Sequence, residues 1–284
     1  SAQASHKFLG ATIGQSWSLL LPLTHIAGVN VLVRSIELQS EPIDLRNFEG
    51  EYPRADFTAI VPTQLYKALT SDSNLLEHLT AAEAVLVGGA PLSDKLKKEA
   101  ANKHVKIITT YGMTEMSGGC VYNQKPLDGV EVKISDAGLV QISGPMIASG
   151  YLLANGQLEK FTSSNWFDTT DLGEITNGML KVLGRADDVI ISGGEKISLS
   201  TVEENIKQIL PKVDLITFAI ADDLWGEKLC LASSSNIDIE ELRTKLDPIL
   251  TPKEIFLFQE IPTTALGKPD RKRALEIAKG MKTK

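Results

Sequence analysis

The sequence predicts an α/β fold: a doubly wound parallel sheet with a small β-barrel-like subdomain, followed by a separate small α+β C-terminal domain. Three textures carry this reading. To about residue 127, short β-rich apolar runs alternate with helical periodicity, the pattern of a parallel sheet. After Asp128, short runs are separated by Asp, Gly and Asn turns, which suggests antiparallel or barrel-like pairing. Past Asp187 helix and strand patterns mix again. The expected division is therefore 1–186, with the β-rich part from about 128, and a mobile domain at 187–284.

Taken in order, Trp17–Leu21 reads as a strand leading into a polar turn at Thr24-His25, and Ile26–Ile36 as a buried helix. Phe57–Val61 is a second strand, and Pro62-Thr63 opens a helix with Thr63 as its expected N-cap. Ala84–Val87 is a third strand, ending in Gly88-Gly89-Ala90-Pro91. Ser93 caps a lysine-rich helix to about Lys103, and Val105–Thr109 makes a fourth strand. Val130–Ile134, Leu139–Ile142 and Met179–Val182 are the short runs of the middle part. The last part predicts a helix from Thr201 to about Leu210 and strands at Leu215–Ala219 and Leu229–Ser233. It continues with a helix at Ile239–Leu246, a strand at Ile255–Phe258 and a terminal helix at Lys272–Lys279.

Bulk properties exclude several classes. The 284 residues carry 29 basic and 36 acidic side chains, a net charge of −7, which argues against a nucleic-acid partner. Cys120 and Cys230 match no zinc spacing and read as reduced, part-buried thiols of a cytoplasmic protein. The longest apolar run, Trp17–Pro22, is too short to span a bilayer, and the polar N-terminus lacks a signal-peptide layout. The oligomeric state is left open.

Chemistry concentrates in a few segments. Ligands of doubly wound sheets bind at the carboxyl ends of strands, where Gly88–Pro91 and Tyr111–Gly119 (YGMTEMSGG) are expected. In the second segment Thr114 can hydrogen-bond a phosphate oxygen. Glu115 can hold Mg²⁺, a hard cation suited to carboxylate oxygens, and the Tyr111 ring can stack on an adenine. Gly88, Gly89 and Ala90 let backbone approach a flat ligand. Alone, each segment reads better as a structural turn.

Four further sites follow in order: WFDTTDLG at 166–173, GRADD at 184–188, SGGEKIS at 192–198 and GKPDR at 267–271. Together with YGMTEMSGG they resemble the closing motifs of the adenylate-forming superfamily of acyl- and aryl-CoA ligases. The resemblance implies ATP plus a carboxylate giving acyl-AMP, then transfer to the thiol of coenzyme A, with ATP/AMP, Mg²⁺ and coenzyme A as cofactors. It implies catalytic roles for Lys268, Thr114 and Glu115, with Glu115 as the metal ligand. Nucleotide and cofactor contacts fall on Gly88, Gly89, Ala90, Tyr111, Gly112, Met113, Asp171, Arg185 and Lys196. Asp171 would take the ribose hydroxyls, although Thr170 stands where most members have Gly. Asp187 resembles the hinge about which the small domain turns, and Gly193–Lys196 would then form the thiol tunnel.

The segments Pro22–Gly28, Val61–Leu65 and Leu127–Val130 resemble the short bacterial o-succinylbenzoate–CoA ligases of menaquinone biosynthesis. That likeness implies an aromatic acid between His25, Gly28 and the Gly88–Ala90 segment, while the residues alone also allow His25 to be a buried strand-end histidine. His6, His78 and His104 show no ligand spacing and read as structural. The superfamily's upstream phosphate loop ending in Lys is missing from these residues, so a piece of a longer protein or a natural truncation is expected. A non-catalytic adenylate-binding protein, another acid substrate and a carrier-protein thiol as acceptor are the alternatives.

Overall fold

The structure, a computed structural model, describes residues 1–161, 165–263 and 269–282. The chain divides into two compact units, 1–169 with 173–182, and 170–172 with 183–284.

The first unit opens with α1 (Ala2–Leu9), β1 (Trp17–Leu19), α2 (Ile26–Glu37), β2 (Ile43–Asp44) and β3 (Phe57–Ile60). Then come α3 (Pro62–Thr70), α4 (Ser73–Ala81), β4 (Ala84–Val87), α5 (Asp94–Asn102), β5 (Ile107–Met113), β6 (Gly118–Tyr122) and β7 (Lys125–Pro126). The sheet order is β2-β1-β3-β4-β5-β6-β7, parallel from β2 to β5 and antiparallel beyond. Every residue of β3 and β4 is buried, and all but Thr58 are apolar, as strands covered on both faces require. Trp17, Leu19, Phe57 and Leu86 pack with Val31 of α2 and Leu38 just after it, while Ile60, Val85 and Val87 pack with Leu65, Leu79 and Ala100 of the other helices. The sheet is thus doubly wound, as the alternating texture predicts.

Several expectations need correction. Helix α2 is amphipathic and not buried throughout: Ile36 is 73% exposed, while Asn30 and Arg34 lie on the inner face. Arg34 satisfies that position by donating to the Tyr122 hydroxyl (2.9 Å) and lying 4.8 Å over the Trp17 ring. Helix α3 begins at Pro62, so Thr63 is not its cap; Pro supplies the preset first turn, and Gln64 Oε1 accepts from Val61 N at 3.1 Å. Strand β5 starts later than Val105 and runs through Met113, since pairing with β6 extends it. Both cysteines are fully buried rather than part-buried, and burial pushes the Cys120 thiol up to about 12. Helices α1 and α4 carry no strong sequence signal, the latter being capped by Asp72 accepting from Leu75 N.

The middle of the chain holds β8 (Glu131–Ile134), β9 (Leu139–Ser143), β12 (Phe167–Thr176) and β13 (Met179–Arg185) in the order β13-β12-β9-β8. Alternation puts Val140, Ile142 and Leu180 into a core with Met116, Cys120 and Val121. A separate hairpin pairs β10 (Gly150–Leu152) with β11 (Leu158–Lys160).

The second unit contains β14 (Val189–Ser192), β15 (Glu195–Ser198), α6 (Leu199–Ile209), β16 (Leu215–Asp222), β17 (Gly226–Ser233), α7 (Ile239–Lys245), β18 (Glu254–Leu257) and α8 (Arg271–Lys282). One face of its sheet packs on Val202, Ile206 and Leu242, the other on Ala274 and Ala278 of α8. Buried Glu203 accepts from Thr217 N (2.8 Å) and pairs with Arg271 (3.1 Å), which also reaches Asp188 at 3.3 Å. Burial pushes the Glu203 carboxyl up, against the pull of Arg271.

At Gly112 a Cβ would overlap the backbone of Gly118 and Gly119 on β6, so neither strand can accept a methyl without moving. Gly112→Ala is therefore expected to destabilise the first unit by about 2–3 kcal/mol. Chemical denaturation of the variant against the parent checks this, and an unchanged midpoint would show that the strand spacing is not fixed there.

Candidate functional site

Because β1, β3, β4 and β5 run parallel as neighbours, their carboxyl ends lie along one edge of the sheet. After β1 the chain turns through Pro22–Thr24 into α2, and His25 stands exposed just before the helix, so it is not a buried strand-end residue. Its carbonyl accepts from Gly28 N (3.0 Å) and Val29 N (3.2 Å). Gly28 is a packing requirement: a Cβ there would overlap the Pro22 carbonyl. The glycine at 88 has the same kind of cause, since its Cβ would strike the Thr110 hydroxyl on β5. Gly89 has φ +86°, which an L side chain rarely adopts, and Gly89 and Ala90 are both exposed. The close approach of Gly88 and Thr110 sets the Gly88–Ala90 turn beside the end of β5.

Tyr111, Gly112 and Met113 form that end of β5, half-buried, with Tyr111 and Met113 packed on the Met116 cluster. Thr114 to Met116 make one 3₁₀ turn, closed by Ser117 in the left-handed region (φ 54°). Asn30 of α2 donates from Nδ2 to the Ser117 carbonyl at 2.8 Å, and a Cβ on Gly118 would occupy that amide's place. Thr114 is exposed, and Glu115 is half-buried with its Oε1 accepting from the Tyr151 hydroxyl at 2.6 Å. That acceptor holds the Tyr151 phenol above its ordinary range. The Glu115 carbonyl accepts from Ala148 N at 2.8 Å.

Among the described residues no group of three or more His, Cys, Asp or Glu could hold a metal alone. One carboxylate beside an exposed hydroxyl is a donor set for Mg²⁺ carried in with phosphates, because that ion keeps most of its shell from water and phosphate.

Asp171, Arg185, Asp187 and Lys196 fall in the second unit. Asp171 is half-buried on β12, where it adds to the negative field that raises Arg185. Arg185 itself forks onto Asp187 through Nε (2.7 Å) and Nη2 (2.6 Å), and this pairing lowers the Asp187 carboxyl. The ribose–phosphate candidate and the hinge candidate are thus partners. Asp188 accepts from the Ser200 hydroxyl as well as meeting Arg271. Gly193 (φ 60°) and Gly194 (φ 88°) form a two-residue hairpin turn between β14 and β15, and Lys196 is exposed beyond it. Lys268 lies outside the described residues.

Asn30 and Tyr151 escaped the reading of the sequence. Asn30 left a signal, a polar residue four before Arg34 and so on the same face of α2. Tyr151 left none, because its partner is distant in the chain.

A family model described as "AMP-binding enzyme" matches residues 9–152. The chain is 36% identical to the "Probable 2-succinylbenzoate--CoA ligase" of Mycobacterium tuberculosis, with 95% of this chain and 76% of that protein covered. Against the 2-succinylbenzoate–CoA ligase of Listeria monocytogenes the identity is 28%, covering 97% of this chain and 64% of that one. In structure it is similar to o-succinylbenzoate CoA synthetase of Bacillus subtilis in complex with the acyl-adenylate intermediate: TM-score 0.80, identity 25%, coverage 96% of this chain and 63% of that one. The chain thus spans about two thirds to three quarters of the length of these relatives. With half its length in one family match and more than a third of its residues shared with the mycobacterial protein, the chain belongs to the AMP-binding enzyme family, the adenylate-forming acid–thiol ligases.

Proposed function

We propose that the protein is an ATP-dependent carboxylic acid–CoA ligase that works through an acyl-adenylate, with o-succinylbenzoate as its acid. The observation that carries the reading is the shared edge of the first sheet, where Gly88–Ala90 and Tyr111–Glu115 meet at strand ends. The relatives named for 2-succinylbenzoate support the choice of acid.

On this reading Tyr111, Gly112 and Met113 border the adenine with the Gly88–Ala90 turn, and Thr114 donates to a phosphate oxygen. Glu115 is the carboxylate that holds Mg²⁺, and the chemistry a bound Mg²⁺ supplies is neutralisation of the triphosphate's charge. His25 and Gly28 border the acid. Asp171 accepts hydrogen bonds from the ribose hydroxyls, and Arg185 adds a cation near ribose or phosphate. Asp187 absorbs the backbone rotation between the two half-reactions, releasing or keeping its fork with Arg185. Gly193, Gly194 and Lys196 line the approach of the thiol. Lys268 neutralises the charge that develops as the carboxylate attacks the α-phosphate. The site is expected to work in the cytoplasm on small molecules, without nucleic acid.

Removal of the Asp171 carboxylate should weaken AMP or acyl-AMP binding by on the order of 2–4 kcal/mol with little loss of folding. Calorimetric titration of Asp171→Ala checks this, and unchanged affinity would take Asp171 out of the nucleotide site. Lys268→Ala should slow adenylation roughly 10²–10³-fold, or about 3–4 kcal/mol of transition-state stabilisation, with thioester formation from pre-made acyl-AMP retained. ATP–pyrophosphate exchange set beside single-turnover thioester formation reads both steps. Exchange at the parent rate would remove the lysine from the mechanism.

A further inference from the structure

We propose that Tyr151 is a positioning residue for Glu115, fixing the carboxylate so that its second oxygen faces a divalent cation carried by a nucleoside triphosphate. The inference rests on the reading of Glu115 as the metal ligand.

The bond from the Tyr151 hydroxyl to Glu115 Oε1 is 2.6 Å, within the range of charge-assisted O–H···O⁻ contacts. A carboxylate offers acceptor sites on two oxygens, so one donor on Oε1 leaves Oε2 available. Tyr151 is 49% exposed, so burial of its ring is not what keeps it in place. Its orientation comes instead from an edge contact with Phe161 (centroids 4.6 Å apart), itself edge-on to Phe167 at 5.0 Å. Two further bonds hold the 146–151 segment in register with the turn that bears Glu115: Ala148 N to the Glu115 carbonyl and the Ser117 hydroxyl to the Met146 carbonyl, each 2.8 Å. The turn bearing Glu115 is thus tied to 146–148, Tyr151 is held by pairing with Glu159 of β11, and the phenol restricts the rotation of the carboxylate. Loss of a group that hydrogen-bonds a metal's ligand in this way typically costs roughly 10–100-fold in metal affinity.

Tyr151→Phe keeps the ring contact with Phe161 and deletes only the hydroxyl. Binding of Mn²⁺ together with the non-cleaved analogue α,β-methylene-ATP, followed by electron paramagnetic resonance, should weaken about 10-fold in this variant. The Mg²⁺ concentration for half-maximal adenylation should rise in parallel, with the rate at saturating Mg²⁺ and the melting temperature nearly unchanged. Glu115→Gln, run beside it, should weaken Mn²⁺ binding at least as much. If Glu115→Gln weakens Mn²⁺ binding and Tyr151→Phe leaves it unchanged or tighter, the positioning role is overturned and the Glu115 reading survives. If Glu115→Gln has no effect, the metal reading falls, and the positioning role with it.

Discussion

The first unit depends on how closely backbone passes backbone where β5 meets β6 and α2. Gly112 lies against Gly118 and Gly119, Gly118 lies against the Asn30 amide, and Gly88 lies against Thr110. A Cβ at any of these three points would come within 2.1–2.2 Å of a neighbouring atom, so that a neighbour would have to move. The hydrogen bond from Asn30 to Ser117 then closes α2 onto the turn after β5. Glycine in a strand ordinarily weakens it; here it allows strand, turn and helix to converge on Thr114 and Glu115. Gly88, one of the ligand-approach positions of the sequence, is thus first of all a packing solution, and Gly89 and Ala90 stand exposed just beyond it.

In the second unit the comparable constraint is a buried carboxylate. Glu203 gathers Thr217 from β16 and Arg271 from the start of α8, and Arg271 extends the chain of contacts to Asp188. Removing one member of such a set leaves a buried charge uncompensated, which makes the set all-or-none. It ties Asp188 to the first residue of α8.

Much of the fold was legible because burial writes itself into the sequence at simple periods. The continuous apolar runs of β3 and β4 and the alternation in β8 and β9 needed no tertiary information. Helix starts were legible where a cap carries the bond, as at Ser93 accepting from Leu96 N, and were misplaced where Pro62 set the start and Thr63 looked like a cap. The inner face of α2 was misread because Arg34 is buried through a distant tyrosine and tryptophan. For the site, single segments such as YGMTE and GRADD could be picked out, but their partners could not. The pairing of Glu115 with Tyr151 joins residues whose separation follows no period, and the fork of Arg185 onto Asp187 depends on rotamers rather than spacing.

On the proposed function, this protein activates a carboxylate by joining it to AMP. The direct measurement is mass spectrometry of the products formed from ATP, Mg²⁺ and o-succinylbenzoate with coenzyme A withheld. The expected products are an o-succinylbenzoyl adduct of AMP together with pyrophosphate, and that adduct should convert to a thioester once coenzyme A is added. Release of ADP and phosphate, or the absence of an adenylate with this acid while binding of both substrates is intact, would contradict the proposed function.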